Sequence, residues 1–164
     1  MASVTENTLT TDILVIGSGI AGLSIALKLA EEHKISILAK GSLTEGSTNY
    51  AQGGIAGVLD PFDSIDAHIA DTQNAGAGLC DPKAVAIVAS HAAESIQELI
   101  ASGVPLSKDS IENEIENRPN PDFPFTLTQQ GCHSHRRVIN AADHTGQTVL
   151  KTLMERVQRH PTIL

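Results

Sequence analysis

Gly17-Ser18-Gly19-Ile20-Ala21-Gly22 stands between the apolar run Ile13-Leu14-Val15-Ile16 and a segment patterned as a helix. A short buried strand that breaks on glycines and restarts as a helix is the opening of a dinucleotide-binding βαβ unit. The first glycine permits the tight turn and the second lets the backbone approach a pyrophosphate. The third lets helix and strand pack closely. Phosphates then lie at the helix N-terminus, where free N–H groups and the helix dipole favour negative charge. Ile20, Leu23, Leu27 and Ala30 share one face at helical spacing, which predicts a helix up to Glu32. Ile35-Ser36-Ile37-Leu38-Ala39 follows as a second strand.

An acidic residue about 20 positions beyond the glycines usually bonds a ribose hydroxyl in such units. The second strand ends instead on Lys40 and Gly41. That argues against an ordinary NAD site and leaves FAD open, with other groups holding the adenosine half.

The 164 residues suffice for one modest domain. Eleven Lys and Arg against nineteen Asp and Glu give a net charge of −8, with few aromatics. This composition offers no basic footprint or stacking platform for nucleic acid and no attraction to an anionic membrane. No apolar run is long enough to span a bilayer. Residues 1–11 are polar, lack the pattern of a signal peptide, and are expected to be disordered. Cys80 and Cys132 are far apart and have no metal spacing, which reads as two reduced thiols in the cytoplasm.

Beyond the second strand, Gly41 to Gly57 is rich in Gly, Ser, Thr and Asn. Ordered loops of that length are usually functional. Within it, Ser47 and Thr48 offer hydroxyls to phosphate or ribitol oxygens, and Gln52 offers an amide to a ring edge. Gly53 and Gly54 allow the backbone to lie against a flat ring. A solvated turn would use the same residue types. Asp63-Ser64 caps a helix towards Ala75, and Asp81-Pro82 starts another that ends at Ser102-Gly103. The second of these is expected to bury Val85, Val88, Ala92, Ile96, Leu99 and Ile100. Residues 108–124 are polar and proline-punctuated, an exposed excursion or hairpin arm, and Phe125 to Thr128 alternates as a short strand. Val149, Leu150, Leu153, Met154 and Val157 mark a final amphipathic helix, and Thr162-Ile163-Leu164 begins a further strand.

Gln130-Gly131-Cys132-His133-Ser134-His135-Arg136-Arg137 is a local cationic cluster suited to carboxylate or phosphate, with a solvated basic loop as the alternative. His133 and His135 make a poor metal set, and no metal is expected. His68 and His91 read as ordinary core or surface histidines.

Taken together, Gly17–Gly22, Glu45 to Ala56, Asp63-Ser64-Ile65, Ala75 to Asp81, His133–Arg137 and Ala141-Ala142-Asp143 resemble the L-aspartate oxidases. These belong to the succinate dehydrogenase and fumarate reductase flavoprotein family. The likeness runs from Asp12 to Leu164 and is interrupted around 108–124. It implies an α/β fold: a Rossmann-like FAD-binding βαβ domain over 12–164, incomplete, with its third parallel strand and capping domain cut off. Gly17, Ser18, Gly19, Ile20, Ala21, Gly22, Lys40, Ser47, Thr48, Asn49, Tyr50, Ala51, Gln52, Gly53 and Gly54 are its implied FAD-binding residues.

Respiratory members carry a histidine joined covalently to the flavin at the position of Ser47, so FAD is expected to be non-covalent here. The implied reaction oxidises L-aspartate to iminoaspartate, with O2 or fumarate as acceptor, in NAD biosynthesis. Quinolinate synthase is a partner implied only by that pathway. The family's catalytic arginine lies beyond position 164, so no catalytic residue is assigned within the chain, which is expected to be inactive and to hold FAD poorly on its own.

Two positions depart from the pattern. Gln130 stands where Glu is expected near the substrate amino group, so a charge-assisted contact to the ammonium is lost. A soluble fumarate reductase, keeping fumarate reduction and losing aspartate oxidation, is therefore the alternative enzyme; a truncated remnant that at most binds nucleotide is the non-enzymatic one. Cys132 stands where Gly is expected, and a positive φ there would strain it.

Overall fold

In the computed structural model, residues 8–108 and 123–164 are described. The expected disorder of 1–11 therefore falls largely outside them, as does most of the 108–124 excursion. The chain divides into two compact units: one runs to Asn49 and includes Leu150–Leu164, and the other is Tyr50–Val149.

In the first unit, β1 (Ile13–Ile16) leads into α1 (Ile20–Leu29), and β2 (Ile35–Leu38) pairs with β1 in parallel, Ile13 opposite Ile35 and Ile16 opposite Leu38. α1 is shorter than its periodicity predicts: Ala30 is the C-cap and residues 31–33 turn back towards β2. Ala26, Ala30 and Ile35 form a buried core against which Ile13, Val15, Leu29, Ile37 and Ile163 pack. Small residues on α1 let the helix lie close to the sheet. Thr162 to Leu164 extends this sheet on the far edge of β2. Ile35 N donates to Thr162 O at 2.8 Å and Ile37 N to Leu164 O at 2.9 Å, a parallel pairing that matches the strand start expected there. The alternate positions Leu14, Ile16 and Leu38 point to the other face and are exposed.

In the second unit, β3 (Ile55–Ala56), β4 (Leu127–Thr128) and β5 (Val138–Ile139) form an antiparallel sheet in the order β3-β5-β4. α3 (Ile65–Ala75) and α4 (Pro82–Ala101) pack on each other. Their starts are set locally. Ser64 Oγ accepts from Ala67 N, and Asp81 accepts from Lys83 N and Ala84 N ahead of Pro82. α4 buries Ala89, Ile96 and Leu99, but Val88 is exposed, contrary to the expected face. Eight residues before Ile96, it lies roughly 80° round the helix, on the flank of the buried stripe next to exposed Ile87, where solvent tolerates it. The last helix, α5 (Thr145–Arg159), starts in this unit and ends in the first; Val149, Leu150, Leu153, Met154 and Val157 are buried as expected.

Candidate functional site

The glycine turn between β1 and α1 has the geometry its sequence demands. Gly17 adopts φ +113°, open to glycine and strained for other residues. A Cβ on Gly22 would collide with the Gly17 carbonyl and would lie 3.3 Å from Val15 Cγ1, so the third glycine lets α1 lie against β1. Gly19 is the N-cap and has no side chain to cap the helix, while Ile20 N donates to Thr48 Oγ1 at 3.2 Å. Ser18 is buried. The first turn of α1 therefore faces outward with backbone N–H groups and no capping carboxylate. A helix N-terminus behind a glycine cradle, with no acidic residue in its first turn, fits the pyrophosphate of FAD.

Thr48 reaches this turn from α2 (Ser47–Tyr50), a single helical turn within the long loop. Ser47 and Lys40 are exposed, and Asn49 N closes the turn on Gly46 O. In the second unit, Tyr50, Ala51, Gln52 and Gly53 are exposed, and Ala51 O accepts from Gly146 N at 2.9 Å. Gly54 has a packing reason to be glycine. A Cβ there would collide with the Ile139 carbonyl, because β3 runs against β5.

Arg137 is the most buried charge among the described residues, with no exposed surface. Its Nε and Nη2 donate to the two oxygens of Asp63 at 2.8 Å each, and Nη1 donates to Asp71 Oδ2 at 2.7 Å. Asp71 Oδ2 also accepts from Ser134 N and Ser134 Oγ, both at 2.7 Å. Arg137, the buried member of the cationic cluster expected from sequence, is thus neutralised in place. Arg137 does not offer its fork to a ligand, because Asp63 ahead of α3 and Asp71 on α3 occupy it.

The charges respond accordingly. Hydrogen bonds from the Ser134 N–H and hydroxyl, then from Arg137, pull Asp71 down to about 2. Burial alone would raise Asp63, yet the Arg137 bonds and the Ser64 N–H bring it below the usual range. Burial opposes the charge on Arg137 as well, but the two carboxylates hold it protonated. His68 on α3 is 7 % exposed, its ring lies 5.8 Å from that of His133, and burial followed by the Arg137 charge lowers its pKa.

These shifts set the sign of the pH dependence. The folded carboxylates hold protons more weakly than the ordinary 3.8, so their stabilisation is full above that value and is lost as pH falls towards 2. His68 also binds its proton more weakly when folded, so it begins to oppose folding as pH falls below 6.5. Thermal midpoints from pH 7 to pH 2 should fall in both windows, and Asp71→Asn should flatten the lower one. A wild-type midpoint level between pH 4 and pH 2 would contradict this.

The turn from Gln129 to His133 hangs between β4 and this ion cluster. Gln129 Nε2 donates to His133 O at 2.7 Å and His133 N to Gln130 O at 3.2 Å; Gln130 itself is exposed. Cys132 adopts φ +68°, the strained conformation expected if glycine belongs there. Left-handed backbone costs a non-glycine residue roughly 1–2 kcal/mol, and glycine loses part of that gain to chain entropy. Cys132→Gly is therefore expected to stabilise by about 1 kcal/mol, read as a rise in the thermal midpoint; a fall would show that the thiol packs usefully.

Asp71 is not a candidate from the sequence, and Asp63 enters there as a helix start and within one stretch of the family resemblance, not as a partner of Arg137. Both lie more than sixty residues from Arg137. An unpaired Arg beside β-prone Val138-Ile139 was the available signal that a buried carboxylate had to come from elsewhere.

The FAD binding domain family matches residues 12–164. The chain is 49 % identical over 152 residues to the L-aspartate oxidase of Pseudomonas aeruginosa, covering 93 % of this chain and 28 % of that one. It is 48 % identical to the L-aspartate oxidase of Vibrio cholerae, covering 93 % and 27 %. Among solved structures, a variant of E. coli quinol fumarate reductase superposes with a TM-score of 0.79 at 29 % identity, covering 94 % of this chain and 25 % of that one. The chain spans about a quarter of the length of the curated relatives it matches. No helix among the described residues is long and apolar enough to cross a membrane. With its glycine turn and parallel β1–β2 pair, the chain belongs to the FAD binding domain family.

Proposed function

We propose that this chain is the FAD-binding portion of an L-aspartate oxidase that converts L-aspartate to iminoaspartate in NAD biosynthesis. The glycine turn before α1, with Thr48 closing on Ile20 N, carries the reading, and the likeness to aspartate oxidases supports it. The N–H groups of α1 bind the pyrophosphate, and Ser18 to Ala21 with Ser47 to Gly54 contact the cofactor. Bound FAD supplies a two-electron acceptor. The substrate gives up the Cα hydrogen with its electron pair and one amine proton, and O2 or fumarate takes the electrons in turn. Ser47 has no imidazole to form a covalent link, so the cofactor is held by non-covalent contacts alone. Free Cys80 and Cys132 suit a reducing cytoplasm. Quinolinate synthase is the partner proposed to consume the product.

The second reading, a soluble fumarate reductase, is favoured by Gln130 and by the fumarate reductase likeness. The full-length gene product should be assayed with L-aspartate plus O2 and with reduced dye plus fumarate. Aspartate turnover with all FAD released on denaturation supports the first reading. Fumarate reduction alone supports the second, and neither activity overturns both. In an active protein, Gln130→Glu should lower the KM for L-aspartate roughly fivefold, since a charged acceptor adds about 1 kcal/mol over an amide, while the KM for fumarate does not fall. An unchanged aspartate KM would remove Gln130 from the substrate site.

A further inference from the structure

The hydrogen bonds around Arg137 settle which nitrogen of each neighbouring imidazole carries a proton. Arg137 Nη1 lies 3.3 Å from His133 Nδ1, and a guanidinium only donates. His133 Nδ1 is therefore the acceptor, and the ring proton is on Nε2. At His135 the logic reverses. Ser134 Oγ lies 2.7 Å from Asp71 Oδ2, an ionised carboxylate that only accepts, so the one hydroxyl hydrogen points there. The same Ser134 oxygen lies 2.9 Å from His135 Nδ1, which must then be the donor. Asp63 Oδ1 also lies 3.5 Å from that nitrogen, too far to decide the tautomer by itself. Arg137 Nη2 is as far away at 3.5 Å, a neighbour too distant to impose the other tautomer. The neutral His135 ring with its proton on Nδ1 carries its lone pair on Nε2.

Two imidazoles flanking one guanidinium therefore present opposite edges, a donor at His133 Nε2 and an acceptor at His135 Nε2. The His135 side chain is 40 % exposed and open to a ligand. Asp63 and Asp71 together outweigh Arg137 by one negative charge, and burial keeps His68 neutral at pH 7, so the cluster favours a cation beside it. Gln130 begins the same turn, with its carbonyl bonded to His133 N.

We propose that this histidine pair recognises the amino-acid end of the substrate, His135 Nε2 accepting from the ammonium and His133 Nε2–H donating to the adjacent carboxylate. The proposal rests on the aspartate-oxidising reading and deepens it. The acceptor that Gln130 supplies only as a dipole is reinforced by a second one, backed by the net negative charge of the Asp63–Arg137–Asp71 cluster. His135 becomes the residue that separates L-aspartate from dicarboxylates without an amine.

The test uses the full-length gene product with its FAD reduced by dithionite, so that L-aspartate binds without being consumed. Dissociation constants for L-aspartate and succinate are read by calorimetry. His135→Leu should weaken L-aspartate by roughly 10- to 100-fold and succinate by less than about 3-fold, and His135→Gln, whose amide oxygen accepts, should recover most of the loss. Ser134→Ala, which frees the His135 tautomer while leaving the ring, should weaken L-aspartate selectively by several-fold and guards against a misfolded His135 variant. Equal weakening of both ligands, or none, overturns the assignment. A wild-type protein that binds neither ligand overturns the dicarboxylate reading itself and this proposal with it, whereas wild-type binding that His135→Leu leaves unchanged overturns the proposal alone.

Discussion

Gly22→Ala is expected to remove tight FAD binding from the full-length protein. The added Cβ would meet the Gly17 carbonyl, a backbone atom that cannot swing aside, and would crowd Val15 Cγ1 at 3.3 Å. Relief requires α1 to move away from β1, which displaces the N–H groups proposed to bind the pyrophosphate and loosens the packing of Ala26 and Ala30 on Ile35. Over-packing of this kind costs about 3 kcal/mol, which corresponds to roughly a 100-fold loss of affinity if it falls on the bound state. Gly41→Ala is the matched control, since a Cβ at Gly41 meets nothing within 4 Å. Its effect should stay within about 0.5 kcal/mol. Flavin titration of both variants checks the pair, and equal affinities would show that α1 does not bind the cofactor through this turn.

Arg137→Ala is expected to cost about 3–5 kcal/mol of stability, the range for breaking a buried ion pair by removing one partner. The Asp63 carboxyl, with a fully buried side chain, would be left facing no counter-charge, and Asp71 would keep only Ser134. Arg137→Lys should recover little, because one ammonium cannot span both oxygens of Asp63 and also reach Asp71. The same loss frees the turn carrying Gln130, His133 and His135, so any protein that still folds should bind dicarboxylates more weakly. Thermal unfolding of the two variants measures the first effect; a midpoint within a degree or two of wild type would mean that Arg137 does not hold the second unit together.

The parts of this fold that could be read in the sequence are those whose causes are local. The glycine turn follows from steric demands within six residues, and Ser64 and Asp81 set helix starts by accepting from residues two or three positions away, with the fixed φ of Pro82 assisting the second. The α5 face follows from a helical period sustained over fifteen residues. The strained backbone at Cys132 was legible for the same reason, as one residue type in one position. The three antiparallel strands were harder, since two residues carry no period; only the alternation at Phe125 to Thr128 foretold β4. Val88 was assigned to the buried face because hydrophobicity alone does not say which side of α4 meets α3. Arg137 differs for a further reason: it is neutralised by residues that only the fold brings near, so its occupied fork could not be read from the basic run that contains it.

Mixing the FAD-loaded full-length protein with L-aspartate in the absence of oxygen, and following the visible flavin absorbance, tests the proposed L-aspartate oxidation. The expected result is bleaching of the flavin band by L-aspartate, with the colour restored by fumarate or air. A protein that holds FAD but stays fully oxidised in saturating L-aspartate would contradict the assignment.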